Sequence, residues 1–276
     1  MKAFFAILIV IGASVNSENA IAQKSSNLQA DRIQISYVPP KNPDHEAIFQ
    51  QLKERRVLEK FQGFLSPLRL PRTLLLKVEG CGESNGWYEN DAITVCYEYI
   101  EEIFKNAPRE TTPAGVTRTD AIIGPIVETF LHEVGHAVFD YHAVPVLGRE
   151  EDAADQFSAY LLLQFSKSDA RRLIGGTAYA YNVEASAPST KKNPFADEHG
   201  LPAQRFYNLL CMAYGADSEF FADLVDKGYL PKERAEGCAD EYKQVTLAMN
   251  KLIRPFIDQT RAKRVRARQW LKFDAW

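Results

Sequence analysis

The segment from Ile122 to Tyr141 constrains both the fold and the chemistry of this chain. Its apolar residues recur at positions 123, 127, 130, 131, 134 and 138, the spacing of one helical face. His132 and His136 stand four residues apart within it, so on a helix both imidazoles can reach one metal ion. Neutral imidazole is a good ligand for zinc. We therefore expect a helix that carries one Zn2+ ion per chain.

Glu133 lies between the two histidines, in the position of a catalytic base. Zinc lowers the pKa of a coordinated water from 15.7 to about 7, and a carboxylate beside the metal can then accept the proton of that water. This chemistry suits attack on a polarised carbonyl, so the predicted activity is that of a zinc-dependent peptidase. The alternative is a helix with two hydrogen-bonded histidines and a solvated glutamate.

The third metal ligand is open to more than one assignment. His142 stands ten residues after His132, the third-ligand position of the metzincins, but Phe139 occupies the place of their helix-breaking glycine. Glu151 lies at the start of a second predicted helix. The pattern E-D-A-A-D runs from Glu151 to Asp155. We expect Glu151 to be the ligand and Asp155 to orient a ligating histidine. Glu150 is the fallback, and an acidic helix N-terminus favoured by the helix dipole is the structural alternative.

These motifs resemble those of known peptidases. HExxH followed by ExxxD resembles the gluzincins of the thermolysin type, and HEVGH with EDAAD resembles the HtpX-like prenyl peptidases, whose third-ligand motif is ExxAD. Those families carry a downstream His-Pro stretch with an arginine six residues after the histidine. His199 and Arg205 have this spacing, although Gly200 replaces the proline and the membrane spans are missing. The resemblance implies that His199 and Arg205 face the substrate or stabilise the oxyanion.

Most of the chain also resembles a bacterial family described only as putative metallopeptidases. The resemblance lies in GREEDAADQF, in the CYE segment and in EHGLPAQRFYNLLC. It implies a peptide or protein substrate and does not identify one. In zincins an edge strand near the metal binds the substrate backbone, and Trp87 and Tyr88 could line such a cleft or belong to the core.

The N-terminus has the features of an export signal. Met1 and Lys2 precede an apolar run from Ala3 to Ala13, and Ala20-Ile21-Ala22 supplies a cleavage site, so we expect residues 1–22 to be a signal peptide. An uncleaved anchor is the alternative. A secreted or periplasmic location follows, with no membrane span after cleavage.

The four cysteines suit an oxidising compartment. We expect sequential pairing, Cys81 with Cys96 and Cys211 with Cys238. A structural zinc bound by cysteines is disfavoured, because no pair has the required short spacing.

The predicted fold class is α+β, mostly helical and zincin-like, with a small antiparallel sheet and a central HExxH helix. Residues 23–43 are predicted to form a polar linker or arm, and residues 44–276 a single metallopeptidase domain. The expected strands are 73–78 and 92–97, and the expected helices include 45–63, 97–106, 150–165 and 202–215. A net charge of −3 favours no nucleic-acid partner. Oligomeric state stays open, and a catalytically silent envelope protein that binds metal or acts as a scaffold is the alternative function.

Overall fold

The computed structural model describes residues 32–188, 193–268 and 270. The expected signal peptide, with its cleavage site after Ala22, and the first part of the polar arm lie outside these residues. The strands are β1 (Ile33–Tyr37), β2 (Leu74–Glu79), β3 (Gly86–Glu89) and β4 (Ala92–Cys96). The helices are α1 (Glu46–Glu54), α2 (Val57–Leu65), α3 (Tyr97–Asn106), α4 (Arg118–His142), α5 (Glu150–Leu162), α6 (Lys167–Ser186), α7 (Pro202–Ala216), α8 (Asp223–Asp226), α9 (Lys232–Ala235), α10 (Cys238–Ala248) and α11 (Gln259–Arg266). The predicted class, α+β and mostly helical, is confirmed.

The sheet is mixed rather than antiparallel, with the strand order β1-β2-β4-β3. Strands β2 and β4 were expected to form an antiparallel pair, and they are parallel instead. The reason lies in the segment between them, which contains the additional strand β3. This strand forms a hairpin with β4 through Asn90 and Asp91, whose φ angles are 50° and 62°. Two positive φ angles in a two-residue turn are typical of a type I′ hairpin.

Strand β1 corrects the prediction of a polar arm over residues 23–43. Ile33 to Tyr37 lie within that range, yet they pair in parallel with β2. Ile33 is buried, and the Tyr37 hydroxyl donates a hydrogen bond to Glu59 at 2.8 Å and accepts one from the Leu58 amide at 2.7 Å. The strand is therefore fixed by hydrogen bonds to α2 as well as by backbone pairing.

The predicted helices largely keep their bounds, with two differences, and α6 (Lys167–Ser186) was not among the predicted helices. The expected helix over 45–63 is divided into α1 and α2 at Arg56, which adopts a left-handed conformation with φ 52°. Helix α4 begins at Arg118, after a capping box between Thr117 and Asp120. Pro125 therefore lies inside the helix, past its first turn.

Helix α4 is the central element and lies in backbone contact with α6. A Cβ atom on Gly176 would lie 1.8 Å from the Asp120 carbonyl oxygen, and one on Gly124 would lie 2.6 Å from the Thr177 nitrogen. Only glycine permits such an approach at these two positions. Helix α5 also packs on α4, so two neighbouring helices fix the position of the HExxH helix.

Two disulfides join the chain in the predicted pairs, Cys81 with Cys96 and Cys211 with Cys238. The first links the segment after β2 to the end of β4, and the second links α7 to the start of α10. Among the described residues, no helix combines the length and the hydropathy needed to cross a bilayer.

Candidate metal centre

Three predicted ligands converge at one point between α4 and α5. His132 Nε2 and His136 Nε2 lie 3.2 Å apart, and Glu151 Oε2 lies 3.0 Å from the first and 3.4 Å from the second. A tetrahedral site with metal–ligand distances near 2.0–2.1 Å has edges of about 3.3–3.4 Å. The spacing of these atoms and their chemistry, two imidazoles and a carboxylate, therefore fit a zinc ion.

Local structure explains this convergence. One helical turn separates His132 from His136, so their rings lie on the same side of α4. The helix ends at His142, Ala143 follows it with φ 47°, and the chain turns back before α5 begins at Glu150. Glu151 thus lies in the first turn of α5 and points at the histidines.

A buried chain of polar contacts supports His132 from behind. Asp155 Oδ1 lies 2.8 Å from His132 Nδ1. Arg205 donates two hydrogen bonds to the same carboxylate, at 2.8 Å from Nε and 2.6 Å from Nη2. The guanidinium also lies 4.6 Å over the Tyr181 ring and 3.9 Å from Glu128. Asp155 is therefore held between a cation and the imidazole that it orients.

The electrostatics of the cluster favour a cation at the convergence point. Burial alone would raise the pKa of Glu151, but hydrogen bonds from His132, His136 and His199 hold it far below its usual range. Burial lowers the pKa of His132, yet Asp155 and Glu151 outweigh this effect and raise it to about 10. Carboxylates that stabilise positive charge on imidazole so strongly would also stabilise a divalent metal ion at the same point.

Asp155 shows the same balance between burial and charge. Its burial would raise the pKa of the carboxyl, but the positive charge of Arg205 and hydrogen bonds from His132 and Arg205 lower it to about 2. The carboxylate therefore remains ionised.

Glu133 is buried beside the cluster. Burial raises its pKa, and the neighbouring charges of His132 and His136 oppose the increase. A carboxyl group with a raised pKa is suited to both accepting and returning a proton.

His199 and Arg205 occupy different positions relative to the centre. His199 Nε2 lies 2.8 Å from Glu151 Oε2, and its side chain is 41% exposed, which suits the substrate-facing role that the resemblance implied. The Arg205 side chain is only 17% exposed and points at Asp155. Its geometry is that of a positioning residue rather than of a group that contacts an oxyanion.

The alternative ligands lie elsewhere. The His142 ring stacks on Phe256 with 3.7 Å between the ring centroids, and it does not belong to the group of described residues that converges on the centre. Glu150 Oε1 lies 2.8 Å from His136 Nδ1, on the opposite side of that ring from the convergence point.

Glu128 was not among the site residues predicted from the sequence, although it lies close to His132 and Asp155 in the structure. It is one turn before His132 on α4 and accepts a hydrogen bond from Ser158 at 3.0 Å. Its spacing of four residues from His132 was the available signal.

Strand β3 runs along α4 beside the centre. A Cβ atom on Gly86 would lie 2.9 Å from Thr129 Cγ2, one helical turn before Glu133. At the other end of the strand, Tyr88 donates a 2.6 Å hydrogen bond to Asp140, one turn after His136. Within the described residues β3 pairs only with β4, so its outer backbone edge faces away from the sheet.

A comparison with known protein families identifies the family of this chain. A protein-family model with the description "Putative metallopeptidase" matches residues 37–253, which include every residue of the cluster. Searches of the curated proteins and of the solved structures found no match.

Proposed function

The chain belongs to this family of "Putative metallopeptidase" proteins, and from that premise we propose that it is an exported zinc peptidase. The observation that carries the proposal is the convergence of His132 Nε2, His136 Nε2 and Glu151 Oε2 at tetrahedral spacing. Family membership implies a metal ion and a peptide substrate, and the donor set favours zinc.

His132, His136 and Glu151 would hold the ion, with Asp155 and Arg205 fixing the orientation of His132. When bound, zinc would polarise the scissile carbonyl and lower the pKa of a water molecule to about 7. The donor set leaves one tetrahedral position for that chemistry, because it supplies three protein ligands.

Glu133 would move the protons. As a carboxylate it would accept a proton from the attacking water, and its raised pKa would let it hold that proton for the next step. It would then deliver the proton to the amine nitrogen of the breaking peptide bond. General acid–base catalysis by one positioned side chain contributes about 100- to 10,000-fold.

His199 would stabilise the negative charge that develops on the carbonyl oxygen. Its exposed ring lies at the rim of the centre, parallel to that of His132 with 5.6 Å between the centroids. Asp197 lies 3.5 Å from Nδ1 and would orient the ring so that Nε2 could donate to that oxygen.

The outer edge of β3 would bind the substrate backbone. Peptides commonly add to an exposed sheet edge through main-chain hydrogen bonds, and β3 lies along the helix that carries Glu133. Trp87 and Tyr88 on this strand would then flank the bound peptide.

The two disulfides support an oxidising location. Together with the signal-peptide pattern of residues 1–22, they favour the periplasm or the external medium.

The test compares wild type with Glu133→Gln, and with Glu110→Gln as an exposed control. The wild type should hydrolyse a peptide library, lose activity to a chelator and recover it with zinc. Glu133→Gln should keep one equivalent of zinc and lower kcat at least about 100-fold, since it loses the proton acceptor without changing shape. Near-normal turnover in this variant would refute the mechanism. A zinc-loaded wild type that hydrolyses nothing would instead favour a catalytically silent metal-binding protein.

A further inference from the structure

A polar pocket of about 320 Å³ lies next to the metal centre. Its lining includes Arg149 and Asp152 at the α5 N-terminus, Gly200, Gln204 and Tyr207 of α7, and Arg234. Its volume is in the range of ligand-binding clefts. None of the catalytic roles proposed above involves these side chains.

The pocket adjoins the centre through two chain neighbours. Asp152 follows the ligand Glu151, and Gly200 follows His199. A Cβ atom on Gly200 would lie 3.6 Å from Asp152 Oδ1 and 3.8 Å from Arg149 Nη2. The absence of a side chain at Gly200 therefore leaves room between the His199 loop and Arg149. A substrate held at the centre could extend a group into this room.

Hydrogen-bond donors dominate the lining. Arg149 donates to Asp152 from Nε and Nη2, at 3.0 Å each, which leaves its Nη1 group for a ligand. The Gln204 carbonyl accepts from the Leu201 amide, so its NH2 group can also donate. In the part of the chain that the structure describes, the Tyr207 hydroxyl makes no hydrogen bond. Three donors of this kind suit an acceptor ligand.

Arg149 carries the positive charge for which a ligand can compete. Arg149 and Arg234 contribute two positive charges to the lining, and Asp152 contributes one negative charge. Glu241, outside the lining, balances Arg234. The Arg149–Asp152 pair is weakly held, because the two side chains are 50% and 43% exposed and exposed ion pairs contribute little. A carboxylate from a ligand could therefore replace Asp152 as the partner of Arg149.

We propose that this pocket is a substrate subsite that binds a carboxylate group, with Arg149 as its main donor and Tyr207 as a second. The proposal rests on the proposed peptidase function. The carboxylate could belong to an acidic side chain of the substrate or to its C-terminus, and both present the same two oxygen atoms to a guanidinium.

The experiment measures binding of four peptides to the zinc-loaded Glu133→Gln protein, which keeps the peptides intact. The peptides share one sequence, with Glu or Gln at one position and a free or amidated C-terminus. A preference for Glu identifies the side chain as the source, and a preference for the free terminus identifies the terminus. In either case we expect the carboxylate to tighten binding about tenfold, the usual scale of a charge-assisted hydrogen bond. Equal binding of all four peptides overturns the proposal.

Variants in the same background then locate the interaction. Arg149→Gln should abolish the preference, and Arg109→Gln, an exposed arginine far along the sequence, should keep it. Asp152→Asn should strengthen binding of the carboxylate, because it frees Arg149 from its competitor. If Arg149→Gln does not fold, the opposite sign expected for Asp152→Asn still tests the proposal. An unchanged or weaker preference in Asp152→Asn would contradict it.

Hydrolysis by the wild type separates this proposal from the peptidase function. Cleavage without any preference for a carboxylate would support the peptidase function and refute the subsite. Carboxylate binding that depends on Arg149, in a protein without turnover, would support the subsite and refute the peptidase function.

Discussion

Replacing Arg205 with methionine tests whether the polar chain behind His132 controls the metal centre. Methionine has a similar length and no charge, so the change leaves Asp155 without its cation while it limits the loss of packing on Tyr181. Among the described residues, the Asp155 carboxylate then keeps its hydrogen bond with His132. We expect a less stable protein that also binds zinc more weakly, since the orientation of His132 is no longer fixed.

The structure sets the size of both effects. Removing one partner of a buried ion pair costs about 3–5 kcal/mol. The Arg205 and Asp155 side chains are 17% and 19% exposed, so we expect the lower end, about 3 kcal/mol in the free energy of unfolding. Loss of a group that orients a metal-bound histidine lowers metal affinity by about 10- to 100-fold.

Two measurements distinguish these effects. Urea unfolding of the metal-free protein gives stability, and competition with a chelator gives zinc affinity. Arg56→Met is the control, because Arg56 pairs with Glu59 while its side chain is 73% exposed, and it should cost at most about 1 kcal/mol and leave zinc affinity unchanged. In an Asp155→Asn background, Arg205→Met should change zinc affinity little. A variant that is less stable yet binds zinc like the wild type would show that Arg205 has no part in the centre.

Two further predictions follow from the geometry. Metal analysis should show that Glu151→Ala loses zinc whereas His142→Ala keeps it, because the His142 ring stacks on Phe256, and the reverse result would overturn the ligand assignment. Gly176→Ala should lower the free energy of unfolding in urea by at least about 1–3 kcal/mol, since its Cβ would lie 1.8 Å from the Asp120 carbonyl oxygen. Gly175→Ala, whose Cβ would make an ordinary 3.5 Å contact with Val116, should be neutral or stabilising, and equal stability of the two variants would contradict the close helix approach.

Elements with strong periodicity could be predicted from the sequence. The apolar spacing over Ile122 to Tyr141 indicated the central helix. The acidic residues from Glu150 indicated the start of α5, and its predicted end lies within a few residues of the observed one. The direction of β2 relative to β4 was wrong, because alternation within a strand carries no information about its partner. The short strand Gly86–Glu89 was hidden among turn residues, and its presence reverses the pairing.

The candidate site shows the same division between local and long-range information. Helical spacing brought His132, Glu133 and His136 together, and the EDAAD pattern indicated Glu151. The position of Arg205 depends on packing between α5 and α7. The contact residues of the two helices, Asp155 and Arg205, are separated by 50 positions in the sequence. A motif spacing could identify the residue, but only the packing of the two helices shows that its partner is a carboxylate.

The outer edge of β3 has a consequence for solubility. A backbone edge that can accept a substrate peptide can also accept a strand of a second molecule, and natural proteins limit this risk by keeping edge strands short or charged. Strand β3 spans Gly86–Glu89, begins with a glycine and ends with an acidic residue. If substrates add to it as proposed, a longer and more apolar strand would hold them more tightly but would also invite aggregation. The length of β3 would then be a compromise between affinity for the substrate peptide and self-association of the protein.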